Sequence, residues 1–397
     1  MKKYIFLTGR YVPRPEATGL CVHKLAKDLA SKGFDVETFC YGDSKDIFEV
    51  DGVCVARLKA PAYMLEKEKT PFNVFVSRVH KLFNIFNYPL RSKKMRNMFV
   101  YEVLKTIGED DDIVLVASYT PFEAVSAMKI IKKKAKCHSI KCCYYCADTL
   151  SNEQTDAGIL PASYREKKGK KQELSIFNDC DLIFIMECHK EHYLSDDFAS
   201  VRDKIRIVNF PLLDKNLYST EAKKADTVSI TYTGTLYKTI RNPSYPLDCF
   251  LKFTNLNYKL SIVGGGDCDD IIAEKIALSN GKIEYLGKKP YTYARNAMIE
   301  ADVLLSIGND ESPMMPSKIY EYISTGKPII HFYNWDKDPC LPVLKKYHNA
   351  ILIKNGECDI DILNKFIVER RILKYEEIAE NFKSSKSEFT SEMIEKL

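Results

Sequence analysis

Short apolar runs alternate with segments of helical periodicity along almost the entire chain, and the alternation starts twice. Early in the sequence, Leu25 and Leu29 lie at helical spacing between the apolar runs Tyr4–Leu7 and Val36–Cys40. After about residue 212 the same pattern begins again, with the run Val228–Tyr232. Strands that alternate with helices form parallel sheets with helices on both faces. The sequence therefore predicts an α/β fold of two Rossmann-like domains, whose parallel sheets face each other across a cleft.

The predicted strands are short apolar runs bounded by turn residues. They are Tyr4–Leu7, Val36–Cys40, Ile113–Ala117, His138–Tyr145, Leu182–Met186 and Ile205–Val208, followed by Val228–Tyr232, Lys259–Val263, Ile283–Leu286, Val303–Ser306 and Pro328–Phe332. The turn residues of Asn209–Asp214 and the polar segment Ser219–Asp226 indicate a linker. Tyr375–Leu397 has a helical pattern and no strand after it. We therefore predict domains at 1–212 and 213–374, with a helical segment at 375–397 that returns to the first domain.

Composition excludes several classes of protein. A chain of 397 residues is too long for one ordinary core, and its formal net charge of +5 is too small to indicate a nucleic-acid partner. Apolar runs fall short of the ~20 residues that span a membrane, and a secretory leader is not evident. The 13 cysteines are scattered, and Cys143-x-x-Cys146 lies in a strand-like run without a second pair. We expect a cytoplasmic protein with no metal site.

The segment Pro316–Pro328 carries the most specific chemical pattern. A Pro- and Ser-rich stretch runs into a short helix that bears Lys318 and Glu321, and Gly326 helps to end it. Helix starts offer unpaired N–H groups to an anion, Lys318 adds a charge suited to phosphate, and Glu321 can accept from vicinal sugar hydroxyls. A nucleotide-diphosphate sugar needs both kinds of contact. The alternative is an ordinary helix start with a solvated lysine and glutamate.

Three glycine-containing segments follow predicted strands. Such glycines permit close approach of a ligand, although each one alone is more often only a turn. The loop Arg10–Gly19 is too long for a dinucleotide fingerprint, and its last residue begins a helix. The second and third segments contribute the pairs Gly234-Thr235 and Gly264-Gly265, and the second continues to two cations that could neutralise a diphosphate, Lys238 and Arg241. Together with Ser317, Lys318 and Glu321, these residues define a predicted donor site.

These marks resemble those of the GT-B glycosyltransferases of glycosyltransferase family 4 over nearly the whole chain. The matching segments are the loop ending in Gly19, His23–Gly33, Val36, Tyr232–Thr235, Ile262–Gly266, Tyr285–Gly287, Ala301–Leu305 and Pro316–Pro328. The resemblance implies transfer of a sugar, with retention, from a nucleotide-diphosphate donor and without a metal. It implies that Glu321 holds the donor ribose, that Gly234, Ser317 and Lys318 face the phosphates, and that the first domain binds a glycan or lipid-linked acceptor.

One position departs from the family pattern. The family often carries Glu-x7-Glu, and the residue eight positions before Glu321 is Pro313. Glu311 and Asp310 are close by but out of register, so the first acid has no assigned residue. Asp148, directly after a predicted strand, is a weak candidate to orient the acceptor hydroxyl or, equally, to cap the next segment. Two alternatives keep the same fold: a nucleotide-sugar epimerase or hydrolase, and a non-catalytic nucleotide-sugar-binding subunit.

Segment 71–106 differs from the rest of the first domain. Apolar residues from Val74 to Phe86 fall near one helical face, and a basic cluster follows at Arg91, Lys93, Lys94 and Arg96. An apolar stripe beside basic residues suits the surface of an anionic membrane. The alternative is a core-packed helix with a solvated basic end. The resemblance together with this segment predicts a role in bacterial cell-surface polysaccharide synthesis at the inner face of the cell membrane.

Overall fold

The computed structural model describes residues 2–13, 15–65, 87–151, 160–218, 226–254, 256–310, 314–382 and 388–397. The chain divides into two compact units, Met1–Pro211 with Ser384–Leu397, and Leu212–Lys383. Each unit has one sheet, with eight strands in the first and six in the second. Both sheets are predominantly parallel, so the predicted α/β class is confirmed. Among the described helices, none is both long and apolar enough to cross a membrane.

The first unit is built on an eight-stranded sheet in the order β3-β4-β2-β1-β5-β6-β7-β8. β3 pairs antiparallel with β4, and the other neighbours pair in parallel. The strands are β1 Lys2–Leu7, β2 Asp35–Gly42, β3 Asp46–Val50, β4 Val53–Lys59, β5 Asp112–Tyr119, β6 Ser139–Cys146, β7 Leu182–Met186 and β8 Ile205–Val208. The helices are α1 Ala17–Ser31, α2 Lys93–Leu104, α3 Phe122–Lys134, α4 Ala162–Asp179, α5 Lys190–Tyr193 and α13 Glu388–Lys396, with 3-10 turns at Ala62–Met64, Glu187–His189 and Asp196–Lys204.

The second unit has a six-stranded parallel sheet in the order β11-β10-β9-β12-β13-β14. Its strands are β9 Val228–Leu236, β10 Tyr258–Gly266, β11 Ile283–Gly287, β12 Val303–Ile307, β13 Ile329–Tyr333 and β14 Ala350–Lys354. Its helices are α6 Ser244–Leu251, α7 Asp269–Leu278, α8 Tyr291–Glu300, α9 Lys318–Ser324, α10 Cys340–Tyr347, α11 Ile360–Val368 and α12 Tyr375–Asn381, after a 3-10 turn at Lys215–Leu217. The strands are apolar because helices cover both faces of such a sheet.

Every predicted strand is present, and three further strands, β3, β4 and β14, were not predicted. β3 and β4 form a hairpin around Asp51 and Gly52, whose φ angles are 52° and 75°. Asp-Gly between strand-like runs is a hairpin signal, so the sequence did carry it. β3 lies at the edge of the sheet, where Ile47 is 73% exposed, and its pattern is therefore weakly apolar. β14 is likewise an edge strand, at the end of the second sheet.

The last two helices belong to different units. The Tyr375 ring of α12 packs at 5.6 Å from that of Tyr218, within the second unit. In α13, Phe389 stacks at 3.8 Å on Phe184 of the first unit. The chain thus rejoins the first unit at Ser384, whereas the sequence placed that change at Tyr375. The difference arises because α12 buries Tyr375 and Ile378, an apolar face that the charge-rich sequence does not assign to either unit.

β9 and β10 extend further than predicted because glycines bring them together. Gly264 pairs with Gly234, and a Cβ atom at Gly264 would lie 1.7 Å from the Gly234 carbonyl oxygen. A Cβ atom at Gly266 would lie equally close, 1.7 Å, to the carbonyl oxygen of Leu236. The segment that we interpreted as a turn, Gly264–Gly266, is therefore strand. The neighbouring backbone of β9 leaves no room for a side chain at Gly264 or Gly266.

Candidate functional site

The second sheet changes direction at β9. From β9 the chain proceeds outward through β10 and β11, then returns to the other side of β9 and proceeds through β12, β13 and β14. In open parallel sheets, ligands bind outside the carboxyl ends of the strands at such a switch point. The expected location in this unit is the end of β9 and β12. The residues that follow these two strands are therefore placed to contact a ligand.

Arg241 bridges the ends of β9 and β12. After β9, the main chain makes a tight loop in which Tyr237 and Arg241 exchange backbone hydrogen bonds of 3.2 and 2.9 Å. The guanidinium of Arg241 donates to the Thr235 carbonyl oxygen at 3.1 Å and to Oδ1 of Asn309 at 3.1 and 2.6 Å. Asn309 follows β12, is buried, and donates in turn to the Met314 carbonyl oxygen at 2.7 Å. A partly buried cation is thus held at the switch point by neutral acceptors.

Glu321 in α9 is the second element of the site. Glu321 is 3% exposed, and its carboxylate has two partners. The Tyr291 hydroxyl donates to Oε1 at 2.6 Å, and the Lys318 ammonium lies 2.6 Å from Oε2. The same ammonium lies 5.1 Å from the centre of the Tyr291 ring, within range of a cation–π interaction. Glu321, Lys318 and Tyr291 therefore form one connected group.

Side chains of α9 fix this helix to the end of β9. The hydroxyl of Tyr322 accepts a 2.7 Å hydrogen bond from the Thr233 backbone N–H. On the far end of the helix, Ser324 Oγ accepts from the Asp214 backbone N–H at 2.9 Å. Asp214 also pairs with Arg295 of α8 at 3.6 Å. These buried contacts hold Lys318 and Glu321 in place without depending on a ligand.

Electrostatics favour a protonated Tyr291 beside an ionised Glu321. Burial raises the pKa of Tyr291, and the negative charge of Glu321 raises it further. The phenol therefore stays protonated and serves as a hydrogen-bond donor. Lys238 lies on the solvent side of the loop after β9, where its hydrogen bond to Asp270, 2.6 Å long, raises its pKa. The Lys238 ammonium thus contacts Asp270, whereas the Arg241 guanidinium contacts Asn309.

The remaining donor-site residues of the second unit have mixed surroundings. Gly234 has a φ of 151°, and the Thr235 carbonyl accepts from both Tyr232 and Arg241. Gly264 is enclosed by the backbone of β9, whereas Gly265 has open surroundings, with only the Lys288 side chain near its Cβ position at 3.7 Å. Ser317 precedes α9, and its side chain makes no capping hydrogen bond to this helix.

The remaining candidate residues lie elsewhere in the structure or outside the described residues. Gly19, in α1 of the first unit, lets the helix approach its own preceding loop, since a Cβ atom there would lie 1.9 Å from the Arg10 carbonyl oxygen. Asp148 follows β6, and its carbonyl accepts from the Cys146 thiol at 3.0 Å. Glu311 and Pro313 fall outside the described residues. Asp310 is placed by its backbone N–H, which donates to the Ile240 carbonyl at 2.7 Å.

His23 of α1 takes part in a buried polar contact of the first unit. His23 is 6% exposed, and its ring nitrogens lie 3.0 Å from the Tyr11 hydroxyl and 3.0 Å from an Asp51 carboxylate oxygen. Burial lowers its pKa, against the opposing effect of Asp51. The helical pattern could not reveal this, because Asp51 comes from the β3–β4 hairpin that the sequence analysis did not find.

Sequence reasoning also missed the partners of the predicted ligands. Tyr291 holds Glu321, Asn309 holds Arg241, and Tyr322 holds the helix itself. A signal existed for two of them. Tyr291 begins a helix after a Gly-ended strand, and Asn309 comes directly after a strand at the predicted carboxyl edge. The role of Tyr322 depends on a contact between distant elements, which no local pattern encodes.

No protein-family model and no curated protein matches the sequence. Solved structures do match it in fold. Sucrose-phosphate synthase from Thermosynechococcus elongatus superimposes with a TM-score of 0.65 at 12% identity, over 100% of this chain and 98% of that one. The lipopolysaccharide outer core galactosyltransferase WaaB, in its apo form, gives 0.53 at 14% identity over 100% of both chains. A trehalose-6-phosphate synthase structure gives 0.59 at 11% identity, over 99% and 95%. The chain has the GT-B fold of these proteins, with two Rossmann-like parallel-sheet domains.

Proposed function

We propose that this protein is a glycosyltransferase that moves a sugar from a nucleotide-diphosphate donor to a glycan or lipid-linked acceptor, with retention. The observation that carries the proposal is the group of residues at the switch point of the second sheet. Arg241 and Lys318 supply cations, and Glu321 supplies buried carboxylate oxygens, on elements that are both anchored to the end of β9. Phosphates and vicinal hydroxyls are the ligand groups that this combination suits.

Each residue has a distinct part in donor binding. Arg241 faces the diphosphate, with its charge held at the switch point by Asn309. Lys318 leaves Glu321 to meet a phosphate, and the ribose hydroxyls then donate to the carboxylate oxygen that Lys318 released. Tyr291 keeps its hydrogen bond to the other oxygen, so Glu321 stays oriented throughout. Gly234, Thr235, Gly265 and Ser317 lie along the same edge and complete the proposed donor surface. Lys238 would join it on leaving Asp270.

The proposed chemistry is electrostatic. The bond between the anomeric carbon and the donor phosphate breaks, and its electron pair remains on the leaving phosphate oxygen. The acceptor hydroxyl forms the new glycosidic bond on the same face and gives its proton to that phosphate oxygen. Arg241 and Lys318 stabilise the negative charge as it grows, and one well-placed donor of this kind is worth on the order of 3 kcal/mol. No metal is needed in this step.

Cellular context is the second part of the proposal. WaaB is named as a lipopolysaccharide outer core galactosyltransferase, and WaaG as a glycosyltransferase involved in lipopolysaccharide biosynthesis. By analogy, we assign this chain to bacterial cell-surface polysaccharide synthesis, at the cytoplasmic face of the membrane. The first unit would bind the acceptor, and segment 71–106 would contact the anionic lipid surface. Residues 71–86 of that segment lie outside the described part of the chain, and its basic cluster begins α2.

A panel of nucleotide-diphosphate sugars tests the proposal. A donor that binds the folded protein raises its melting temperature, so thermal stabilisation identifies the donor. The stabilising donor is then incubated with extracted glycan and lipid-linked acceptors, and products are identified by mass spectrometry. Sugar transfer supports the proposal. Free sugar in place of transfer indicates a hydrolase, altered donor without acceptor indicates an epimerase, and binding without any turnover indicates a non-catalytic subunit.

A further inference from the structure

A second group of polar side chains lies in the same unit, beneath the β12 end of the site. His331 of β13, Asp338 and Cys340 at the start of α10 are all buried, at 0%, 1% and 0% exposure. Their potential ligand atoms, one from each residue, all lie within 4.8 Å of one another. An imidazole, a carboxylate and a thiol thus converge on one buried point, and none of the three belongs to the donor-site residues that the proposed function uses.

Two atoms of this group have no hydrogen-bond partner. They are Nε2 of His331 and Oδ2 of Asp338, which lie 3.3 Å apart without the alignment of a hydrogen bond. A buried polar atom left unpaired costs about 1–3 kcal/mol. Bonds of about 2.0–2.2 Å from zinc to nitrogen and oxygen place two tetrahedral ligands roughly 3.4 Å apart. The observed spacing therefore fits two neighbouring ligands of one ion.

The other atoms of the group are fixed as metal ligands usually are. Nδ1 of His331 lies 2.9 Å from Ser306 Oγ, which orients the ring so that Nε2 faces Asp338. The second carboxylate oxygen of Asp338 accepts from the Cys340 backbone N–H at 2.7 Å. Such outer contacts hold the ligand atoms in place before an ion arrives. A mixed nitrogen, oxygen and sulfur set is typical of zinc and its neighbours in the first transition row.

We propose that His331, Asp338 and Cys340 bind a divalent transition-metal ion of the zinc type. The ion would stabilise the loops that leave β12 and β13. Oδ2 of Asp338 lies so close to Gly308 that a Cβ atom there would be 1.9 Å from it. Gly308 directly precedes Asn309, which holds Arg241. The ion therefore stabilises the loop that contains Gly308 and Asn309 and takes no part in the transfer step.

Cobalt provides a direct readout of the thiolate ligand. The full chain is stripped with chelator and titrated with Co²⁺, and a thiolate-to-cobalt absorption band in the near ultraviolet is expected at about one equivalent. Zn²⁺ should abolish the band and should raise the melting temperature of the stripped protein. Cys340→Ser and Asp338→Asn should each weaken Zn²⁺ binding at least tenfold, and Cys340→Ser should remove the band.

Cys249→Ser is the matched control, because Cys249 is a buried cysteine of the same unit outside the group. It should keep the band and the zinc-dependent melting shift. The proposal is overturned if the stripped wild type shows neither a band nor a zinc-dependent shift, or if Cys340→Ser retains both. In either case, His331 and Asp338 form a buried polar contact and no metal site. If one variant does not fold, the other gives the same decision through Zn²⁺ affinity.

Discussion

The Tyr291 hydroxyl donates a 2.6 Å hydrogen bond to the carboxylate of Glu321, so the most buried acid of the candidate site is held by a tyrosine from another helix. Hydrogen bonds to charged groups contribute about 1.5–3 kcal/mol. Tyr291→Phe should therefore lower the free energy of unfolding by about 1.5–3 kcal/mol, measured by urea denaturation of the full chain. Tyr293→Phe is the control, because Tyr293 is 43% exposed on the same helix, and it should change stability by less than about 0.5 kcal/mol. Equal effects of the two variants would show that the Glu321 contact is not stabilising.

Glu321→Ala should weaken binding of the donor by about 1–3 kcal/mol, the range for leaving a buried hydrogen-bonding group unpaired. The loss of affinity should be smaller for inorganic pyrophosphate, which lacks a ribose, because the carboxylate is proposed to face the ribose. Isothermal titration with the donor and with inorganic pyrophosphate measures both. Glu300→Ala, an exposed acid at the end of α8, is the control. Unchanged donor affinity in a folded Glu321→Ala protein would leave Glu321 with a structural role alone.

Arg241→Ala should reduce nucleoside diphosphate affinity at least tenfold, and the dependence of affinity on salt should become shallower, because a charge that faces phosphate is lost. Asn309→Ala should give an intermediate loss, since it leaves the Arg241 charge in place but removes its 2.6 Å contact. Titrations at two ionic strengths test both variants. Arg370→Ala is the charge-matched control, because its guanidinium contacts the Ile367 carbonyl in a different part of the unit. If Arg241→Ala and Arg370→Ala behave alike, Arg241 is not a phosphate ligand.

The repeated strand–helix pattern was sufficient to predict the fold class, because the strands of parallel sheets are apolar along their entire length. Features that depend on contacts between distant segments could not be predicted from such a local pattern. Gly264 follows a strand-like run and predicts a turn by its local sequence, yet β9 approaches it so closely that no side chain fits. Likewise, Lys238 and Arg241 look equivalent in the sequence, but Asp270 and Asn309 direct them to different places. Both partners come from other parts of the chain.

Acid should destabilise the first unit through His189. Burial lowers the pKa of this histidine from its usual value to about 4, so the folded state resists its protonation while the unfolded state accepts a proton below about pH 6.5. Stability contributed by this group is therefore present at neutral pH and is lost as the pH falls from about 6.5 to about 4. The full loss is about 3 kcal/mol by linkage.

The difference between wild type and His189→Gln isolates that contribution, because buried acids such as Glu173, whose pKa is raised by burial, remain in both proteins. The free-energy difference between the two should shift by about 2–3 kcal/mol in favour of the variant between pH 7 and pH 4.5. His138→Gln is the control. His138 is exposed, and its hydrogen bond to Asp112 raises its pKa, so it should show no such acid-dependent gain. A pH-independent difference for His189→Gln would contradict the prediction.

Membrane association through segment 71–106 is the last prediction. Its basic cluster lies at the start of α2, where the buried Glu123 carboxylate accepts from the backbone N–H groups of Arg91 and Ser92 at 2.7 and 2.6 Å. This contact fixes the backbone while leaving Arg91, Lys93 and Lys94 exposed. Each basic residue near an anionic surface adds about 1 kcal/mol, so sedimentation with vesicles should require anionic lipid and weaken with salt.

Changing the four basic residues of the cluster to glutamine should lower the affinity for anionic vesicles, as measured by sedimentation, at least tenfold. A control protein carries glutamine at four exposed lysines elsewhere in the first unit, Lys133, Lys134, Lys136 and Lys141. It has the same net charge as the first variant, so a general electrostatic attraction would weaken both proteins equally. A loss confined to the first variant locates the contact at the start of α2. Binding that ignores lipid charge, or that is absent in the wild type, would make this segment a packed helix with a solvated basic end.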